Sequence, residues 1–359
     1  MNAVNAVLNL PAQFGVYNPV RLVNPGMLTV LNYHRIEDPH APGFHTLKIN
    51  VSATPEEFAL QMDYLKEYYH VIGCDTLVSF LRGEATLPSR AALITFDDGY
   101  YDNYSNAYPI LAERELPAII FLTTGYIGES KAFYWDYVSY CFYYTAKKSA
   151  HLPLIGDCSW DDEPSREQVL HRWIEAAKLV PDTQKKEYVN QISAILEVEV
   201  PEQAYEGLYL NWDQVRAMSR SGLIEFGAHT VTHPILTRVP IEQASFEICE
   251  SKRRIEEETG KVVTALAYPN GGQADFSQPV MQAARDAGIE VAFSLLPGPT
   301  RYSTVRKNAF SVRRIFLSYY DTFPRFVAKL SGLARLLILF CLIDCLTHFG
   351  AVQNHCVWW

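Results

Sequence analysis

Two short segments hold residues whose types and spacing could do chemistry. In Thr95-Phe96-Asp97-Asp98-Gly99 two carboxylates stand side by side, directly after the apolar run Ala91 to Phe96. Adjacent like charges are costly once desolvated, so a buried pair of this kind is explained if one carboxylate holds a cation and the other takes a proton. A solvated turn, with Asp and Gly serving backbone geometry, is the competing reading. In His229-Thr230-Val231-Thr232-His233 two imidazoles lie four residues apart, just after the strand-like IEFGA. On one turn of helix that spacing would put both rings on the same face, with two nitrogens able to reach one metal about 2 Å away. Such a pair is common in a chain with ten histidines, and its place at a strand end is what gives it weight. Asp98 with His229 and His233 would make a three-ligand site with room for water, the pattern of catalytic rather than structural metal centres.

These residues need a scaffold that brings strand ends together. Met27 to Tyr33 (MLTVLNY) is an apolar run of strand length ending at His34, and reads as a buried strand. Further strands are expected at Ala91 to Phe96, Ala118 to Thr123, Ile224 to Ala228, Val263 to Tyr268 and Val291 to Leu295. Helices are expected at Thr54 to Tyr69, Ile241 to Thr259, Gln278 to Ala287 and near Thr322 to Leu330. The first has a strong start: Thr54 as cap, Pro55 at the first position and Glu57 three after the cap. Strands alternating with helices imply an α/β chain with a largely parallel sheet, whose active residues sit at the C-terminal strand ends. Between about 128 and 207 the strand rhythm stops. An aromatic-rich stretch, a polar link containing DCSWDDEPS and helical patterns at Arg166 to Leu179 and Thr183 to Leu196 predict a helical insertion beside the groove.

Composition excludes several classes. The 359 residues carry a formal net charge of -9 and no Lys/Arg run beyond short pairs, so a nucleic-acid partner is not expected. Seven cysteines without CxxC spacing suggest neither a disulfide framework nor a zinc ribbon and fit a reducing, cytoplasmic setting. Residues 1–26 lack the basic start of a signal peptide. The apolar tail, 331–359, has an uninterrupted core from Leu336 to Ile343, far short of the roughly 20 residues of a membrane span. A packing helix is the first reading of the tail and peripheral contact with a membrane surface the second.

TFDDG followed by DGYYDNY, HTVTH followed by Pro234, and YPNGG at Tyr268 to Gly272 together resemble the polysaccharide deacetylase family, the NodB-like carbohydrate esterases of family four. YHRI at Tyr33 to Ile36 and the TPEEF helix start resemble its relatives that act on exopolysaccharides. The resemblance covers residues 27–128 and 208–330. It implies a distorted (β/α)-barrel of seven or eight strands in which Asp98, His229 and His233 bind one divalent metal and Asp97 is the general base. Zinc is the first expectation, with nickel, cobalt, iron or manganese as alternatives. The implied reaction is hydrolysis of an N-acetyl group on an N-acetylated glycan, with O-acetyl ester or cyclic amide hydrolysis, or glycan binding without turnover, as alternatives.

The family's third motif, Arg-x-Pro-aromatic, lines the groove. Here the corresponding positions are Ala267, Tyr268, Pro269 and Asn270, so its arginine is missing. Tyr268 and Pro269 are then expected against substrate, a main-chain amide near Asn270 against the oxyanion, and Arg314 in place of the missing arginine. The family's last motif, Leu-x-His, supplies the general acid, and its formal match is Leu346 to His348 in the tail. His34, at the end of the first strand, is the substitute.

Overall fold

The structure, a computed structural model, describes residues 26–331. Seven parallel strands close into a barrel: β1 (Met27–Tyr33), β2 (Ala91–Phe96), β3 (Ala118–Leu122), β4 (Ile224–Ala228), β5 (Ala265–Ala267), β6 (Val291–Pro297) and β7 (Val312–Phe316). Each pairs with the next along the chain, and β7 returns to β1 through Leu31 opposite Ile315 and Asn32 opposite Phe316. The strands read as continuous apolar runs because their residues are buried on both faces, inside the barrel and beneath the helices. The strand of β7 was not expected as one. Its sequence, VRRIF, carries two arginines, and their opposite fates explain the pattern: Arg313 is exposed and Arg314 fully buried.

Helices α1 (Pro55–Tyr68) and α2 (Cys74–Arg82) join β1 to β2, and α3 (Tyr108–Arg114) joins β2 to β3. The capping box read from Thr54 and Glu57 is present at α1: the Thr54 hydroxyl accepts from the Glu57 amide, and the Glu57 carboxylate from the Thr54 amide.

The long β3–β4 connection contains α4 (Tyr134–Tyr144), α5 (Glu163–Ala177), α6 (Asp182–Leu196) and α7 (Trp212–Arg220). It is not wholly helical. Ser149–Leu152 and Gly156–Ser159 form an antiparallel hairpin where a polar link was expected, with a left-handed Gly156 (φ 74°) starting the return strand. The segment has its own apolar core, including Phe142, Leu170, Trp173 and Ile192, which runs on into Tyr100 and Leu47 outside it. The chain continues through α8 (Ile241–Thr259), α9 (Gln278–Asp286), α10 (Tyr302–Lys307) and α11 (Phe323–Ser331). No helix among the described residues is long and apolar enough to cross a membrane. Leu346 to His348 and the apolar run of the tail lie outside the described residues.

Asp136, at the start of α4, ties the insertion to the barrel. It is fully buried and accepts from the Leu47 amide at 3.0 Å and the Tyr100 hydroxyl at 2.7 Å. Burial pushes its carboxyl up to about 6, with those two bonds offsetting only part of the effect. A folded-state value above the unfolded one means that this group favours folding at low pH, and that the benefit is lost as pH rises through about 6. Asp136→Asn, which keeps the shape without the charge, is therefore expected to gain stability relative to wild type between pH 4 and 7, by on the order of 3 kcal/mol. Parallel pH–melting curves for the two proteins would rule this out.

Candidate active site

All the candidate ligands lie at the C-terminal end of the barrel, where loops after parallel strands converge. Asp97 and Asp98 follow β2. The Gly99 amide donates to the Asp97 carbonyl at 3.0 Å across Asp98, which takes a left-handed φ of 77°. Gly99 follows at φ 82°, and a Cβ there would meet Ile127 and Leu122 at 2.9 Å, so the turn needs a glycine. Thr230 and His233 also have positive φ, so with Asp98 three residues of uncommon backbone geometry stand at one site.

HTVTH is not the helical turn that its spacing allowed. It is a loop, because the buried Glu247 carboxylate of α8 takes the amides of Val231 and Thr232 at 2.7 and 2.8 Å and the Thr232 hydroxyl at 2.6 Å. The His233 amide donates to the Thr230 hydroxyl at 3.0 Å. The two rings converge all the same: their Nε2 atoms are 3.2 Å apart, and Asp98 Oδ1 lies 3.5 Å from that of His229 and 3.4 Å from that of His233. Three atoms at these separations match corners of a tetrahedron about a point roughly 2 Å from each, the ligand distance of a zinc-like cation.

The residues fit such an ion in chemistry as well as spacing. Asp98 Oδ1 is buried without a hydrogen-bond partner. His229 Nδ1 lies 2.8 Å from the Ala267 carbonyl, which can only accept, so Nδ1 carries the proton and Nε2 turns its lone pair toward Asp98. His233 is packed edge-on against Trp135 at 4.8 Å and Phe133 at 5.4 Å. Burial pushes its pKa down to about 3, Asp98 offsetting only part, so its ring is neutral at ordinary pH. Among the described residues, these three form the group able to hold a metal.

Asp97 is held differently. Arg314 Nη1 donates to Oδ1 at 2.7 Å and Nη2 to Oδ2 at 2.8 Å, while Asn32 Nδ2 adds a bond to Oδ2 at 3.0 Å. The guanidinium is itself fixed by the Ser294 carbonyl at 3.2 Å, and it also reaches the Thr95 hydroxyl at 3.3 Å. Burial would raise the Asp97 pKa, but the charge and hydrogen bonds of Arg314 outweigh it and hold the carboxyl well below the usual carboxylate range. Oδ2 has both lone pairs engaged and Oδ1 keeps one open.

A family model described as polysaccharide deacetylase matches residues 84–292, more than half of the sequence. The chain belongs to the polysaccharide deacetylase family. Curated relatives include the poly-β-1,6-N-acetyl-D-glucosamine N-deacetylases of Staphylococcus epidermidis (31% identical over 140 residues, 36% of this chain and 47% of the relative) and Staphylococcus aureus (34% over 118 residues, 30% and 40%). The matched stretch thus spans less than half the length of these relatives. Among solved structures, the Streptococcus pyogenes deacetylase PplD in complex with acetate aligns with TM-score 0.57 at 16% identity over 86% of this chain and 99% of its own. IcaB from Ammonifex degensii aligns at 0.55 and 20%, over 86% and 98%. At these identities the structural likeness speaks for the fold.

Other positions singled out in this polysaccharide deacetylase sequence fall unevenly. His34 follows β1 and is half-buried; its Nδ1 has no hydrogen-bond partner, and its ring meets Phe316 edge-on. Burial lowers its pKa, against the pull of Asp98 and Asp97. Tyr268 and Pro269 do not line a groove. The Tyr268 ring is 0% exposed, stacks on Phe276 at 4.8 Å and donates its hydroxyl to the Phe310 carbonyl at 3.0 Å, so it belongs to the core; Pro269 is buried with it. The Asn270 amide side chain is engaged by Asp275, and its backbone forms a turn in which the Gly271 amide donates to the Pro269 carbonyl at 2.8 Å. Asn32, Glu247 and the wall of Phe133 and Trp135 were not foreseen. Asn32 left a signal as the lone amide in an apolar run, and the wall lies at the aromatic-rich start of the insertion expected beside the groove.

Proposed function

We propose that this polysaccharide deacetylase removes N-acetyl groups from an N-acetylated glucosamine glycan, with Asp98, His229 and His233 holding one divalent metal, zinc being the first candidate. The observation that carries the reading is the convergence of three ligand atoms, one of them an orphaned buried carboxylate oxygen, beside a second carboxylate gripped by arginine. The substrate class follows the relatives' printed activity on poly-β-1,6-N-acetyl-D-glucosamine.

When bound, the cation would polarise the acetyl carbonyl and make water a nucleophile near neutral pH. Asp97 Oδ1, the oxygen with an open lone pair, takes the proton that the attacking water gives up. Arg314 and Asn32 keep the carboxylate from rotating, and Arg314 keeps it ionised. Asp97 can return that proton to the sugar amine as the C–N bond breaks, and the turn at Asn270 is the proposed neighbour of the oxyanion. Free amino sugar and acetate are the products.

Purified protein is expected to release acetate from β-1,6-linked N-acetylglucosamine oligomers, to lose the activity with a chelator, and to regain it with added zinc. Metal analysis should find one divalent ion per chain, absent after chelation. Release from O-acetylated sugars alone would move the assignment to an esterase, and hydrolysis of cyclic amides alone to an amidohydrolase. Bound metal with no turnover on any of these would mark a glycan-binding relative that has lost catalysis.

A further inference from the structure

The two histidines of the site are steadied by different means. His229 has its Nδ1 bonded to the Ala267 carbonyl, which fixes both its tautomer and the direction of its ring. His233 has no such bond at Nδ1 among the described residues: its hydrogen bonds are those of its amide to Thr230 and of Nε2 to His229. Other rings hold its ring instead. Trp135 packs edge-on against it at 4.8 Å and Phe133 at 5.4 Å, and the two are stacked on each other at 4.4 Å, 16° from parallel.

Ring contacts tolerate centroid separations of roughly 4.5–7 Å, so a wall of rings orients its neighbour only as well as the wall itself is anchored. The anchor here is a hydrogen-bonded chain. Trp135 Nε1 donates to the Tyr100 hydroxyl at 3.0 Å, and that hydroxyl donates to Asp136 Oδ2 at 2.7 Å. Asp136 Oδ1 takes the Leu47 amide at 3.0 Å, and the Phe133 amide donates to the Tyr209 hydroxyl at 3.0 Å. Tyr100 and Asp136 are fully buried, so a break in the chain would strand polar groups away from water, and the indole is held in one orientation. Phe133, Trp135 and Asp136 all belong to the insertion, while Tyr100 and Leu47 lie outside it.

We infer that Trp135, anchored through Tyr100 to Asp136, is a positioning residue that sets the His233 ring for the metal, so that the insertion completes the metal site. This role rests on the ligand set proposed above.

In the full, metal-free chain isotope-labelled at histidine, the His233 ring resonances are expected to carry the ring-current shift of the wall. They should move and broaden in Tyr100→Phe, which keeps every ring and removes only the anchoring hydroxyl. Melting curves check that each variant folds. Zinc affinity is then measured by competition with a chelating dye. Trp135→Ala is expected to weaken it about ten- to a hundredfold, the range for groups that orient a metal's ligands. Trp135→Phe and Tyr100→Phe leave a ring in place and should each weaken it about two- to twelvefold, the cost of immobilising one side chain. The double variant should lose little more than either single one, because both break the same bond. Trp173→Phe, in the same apolar core without a ring contact to His233, should lower the melting temperature and leave zinc affinity alone.

Unchanged zinc affinity in Trp135→Ala while His233→Ala weakens it would overturn the positioning role and keep the ligand set, even if the KM for glycan rises. Unchanged zinc affinity in His233→Ala, with the His233 resonances of the otherwise wild-type ring still displaced in Tyr100→Phe, would overturn the ligand set and keep the clamp on the ring. Losses that multiply in the double variant would overturn the chain through Tyr100.

Discussion

Asp97→Asn is expected to keep its metal and lose acetate release by about 10² to 10⁴-fold, the usual contribution of a positioned general base. The proposed metal ligands are Asp98, His229 and His233 and do not include Asp97, so metal content measured on the purified variant should match wild type. An asparagine can place its carbonyl oxygen where Oδ2 accepts from Arg314 Nη2 and Asn32 Nδ2. Its NH₂ then stands where Oδ1 stood, facing Arg314 Nη1 as donor against donor, with no lone pair to take a proton. The variant is also expected to be less stable, because a fully buried guanidinium has lost its counter-ion. Wild-type turnover in a folded, metal-loaded variant would remove Asp97 from the mechanism.

Arg314 carries the second large effect. Its removal as Arg314→Met leaves the Asp97 carboxylate buried and unpaired, which typically costs about 3–5 kcal/mol. With the guanidinium gone, burial dominates and the Asp97 pKa rises. In wild type its depressed folded-state value gives stability that is fully present above the ordinary carboxyl range and lost only as the pH falls into strong acid. The methionine variant should therefore melt lower at neutral pH, and acid should add less further loss. Arg314→Lys keeps a charge but cannot reproduce the two parallel bonds, so turnover should fall and the acid limb of the pH–activity profile should move upward while metal is retained. An unchanged profile in the lysine variant would show that orientation of the base does not depend on this arginine.

Much of the barrel was legible because its strands are buried on both faces and read as unbroken apolar runs: β1, β2 and β4 have the expected bounds. Helix α1 was equally plain, since a capping box is a local device written in four residues. The strand β7 was hidden by its paired arginines, and α4 by a run of aromatic residues without clear periodicity. The hairpin 149–159 was hidden because its strands are short and mostly polar.

At the site, the sequence by itself determined which residue types were present: adjacent carboxylates at a strand end, two histidines four apart, and a second-choice arginine where the usual one is absent. These are local facts, and burial pattern placed them near strand ends. Tertiary structure decided how they meet. The histidines converge through a loop held by Glu247, 16 and 15 residues beyond the Val231 and Thr232 amides it binds, because a buried carboxylate can replace helical hydrogen bonds only when a distant helix delivers it. Ala267 gains its part through a backbone carbonyl, which every residue possesses and no side-chain pattern reveals. Tyr268, by contrast, matched a groove motif in sequence but turns into the core, since Phe276 and the Phe310 carbonyl satisfy both its ring and its hydroxyl there. Which face a side chain takes at the end of a strand depends on partners far away in sequence, and only the closed barrel supplies them.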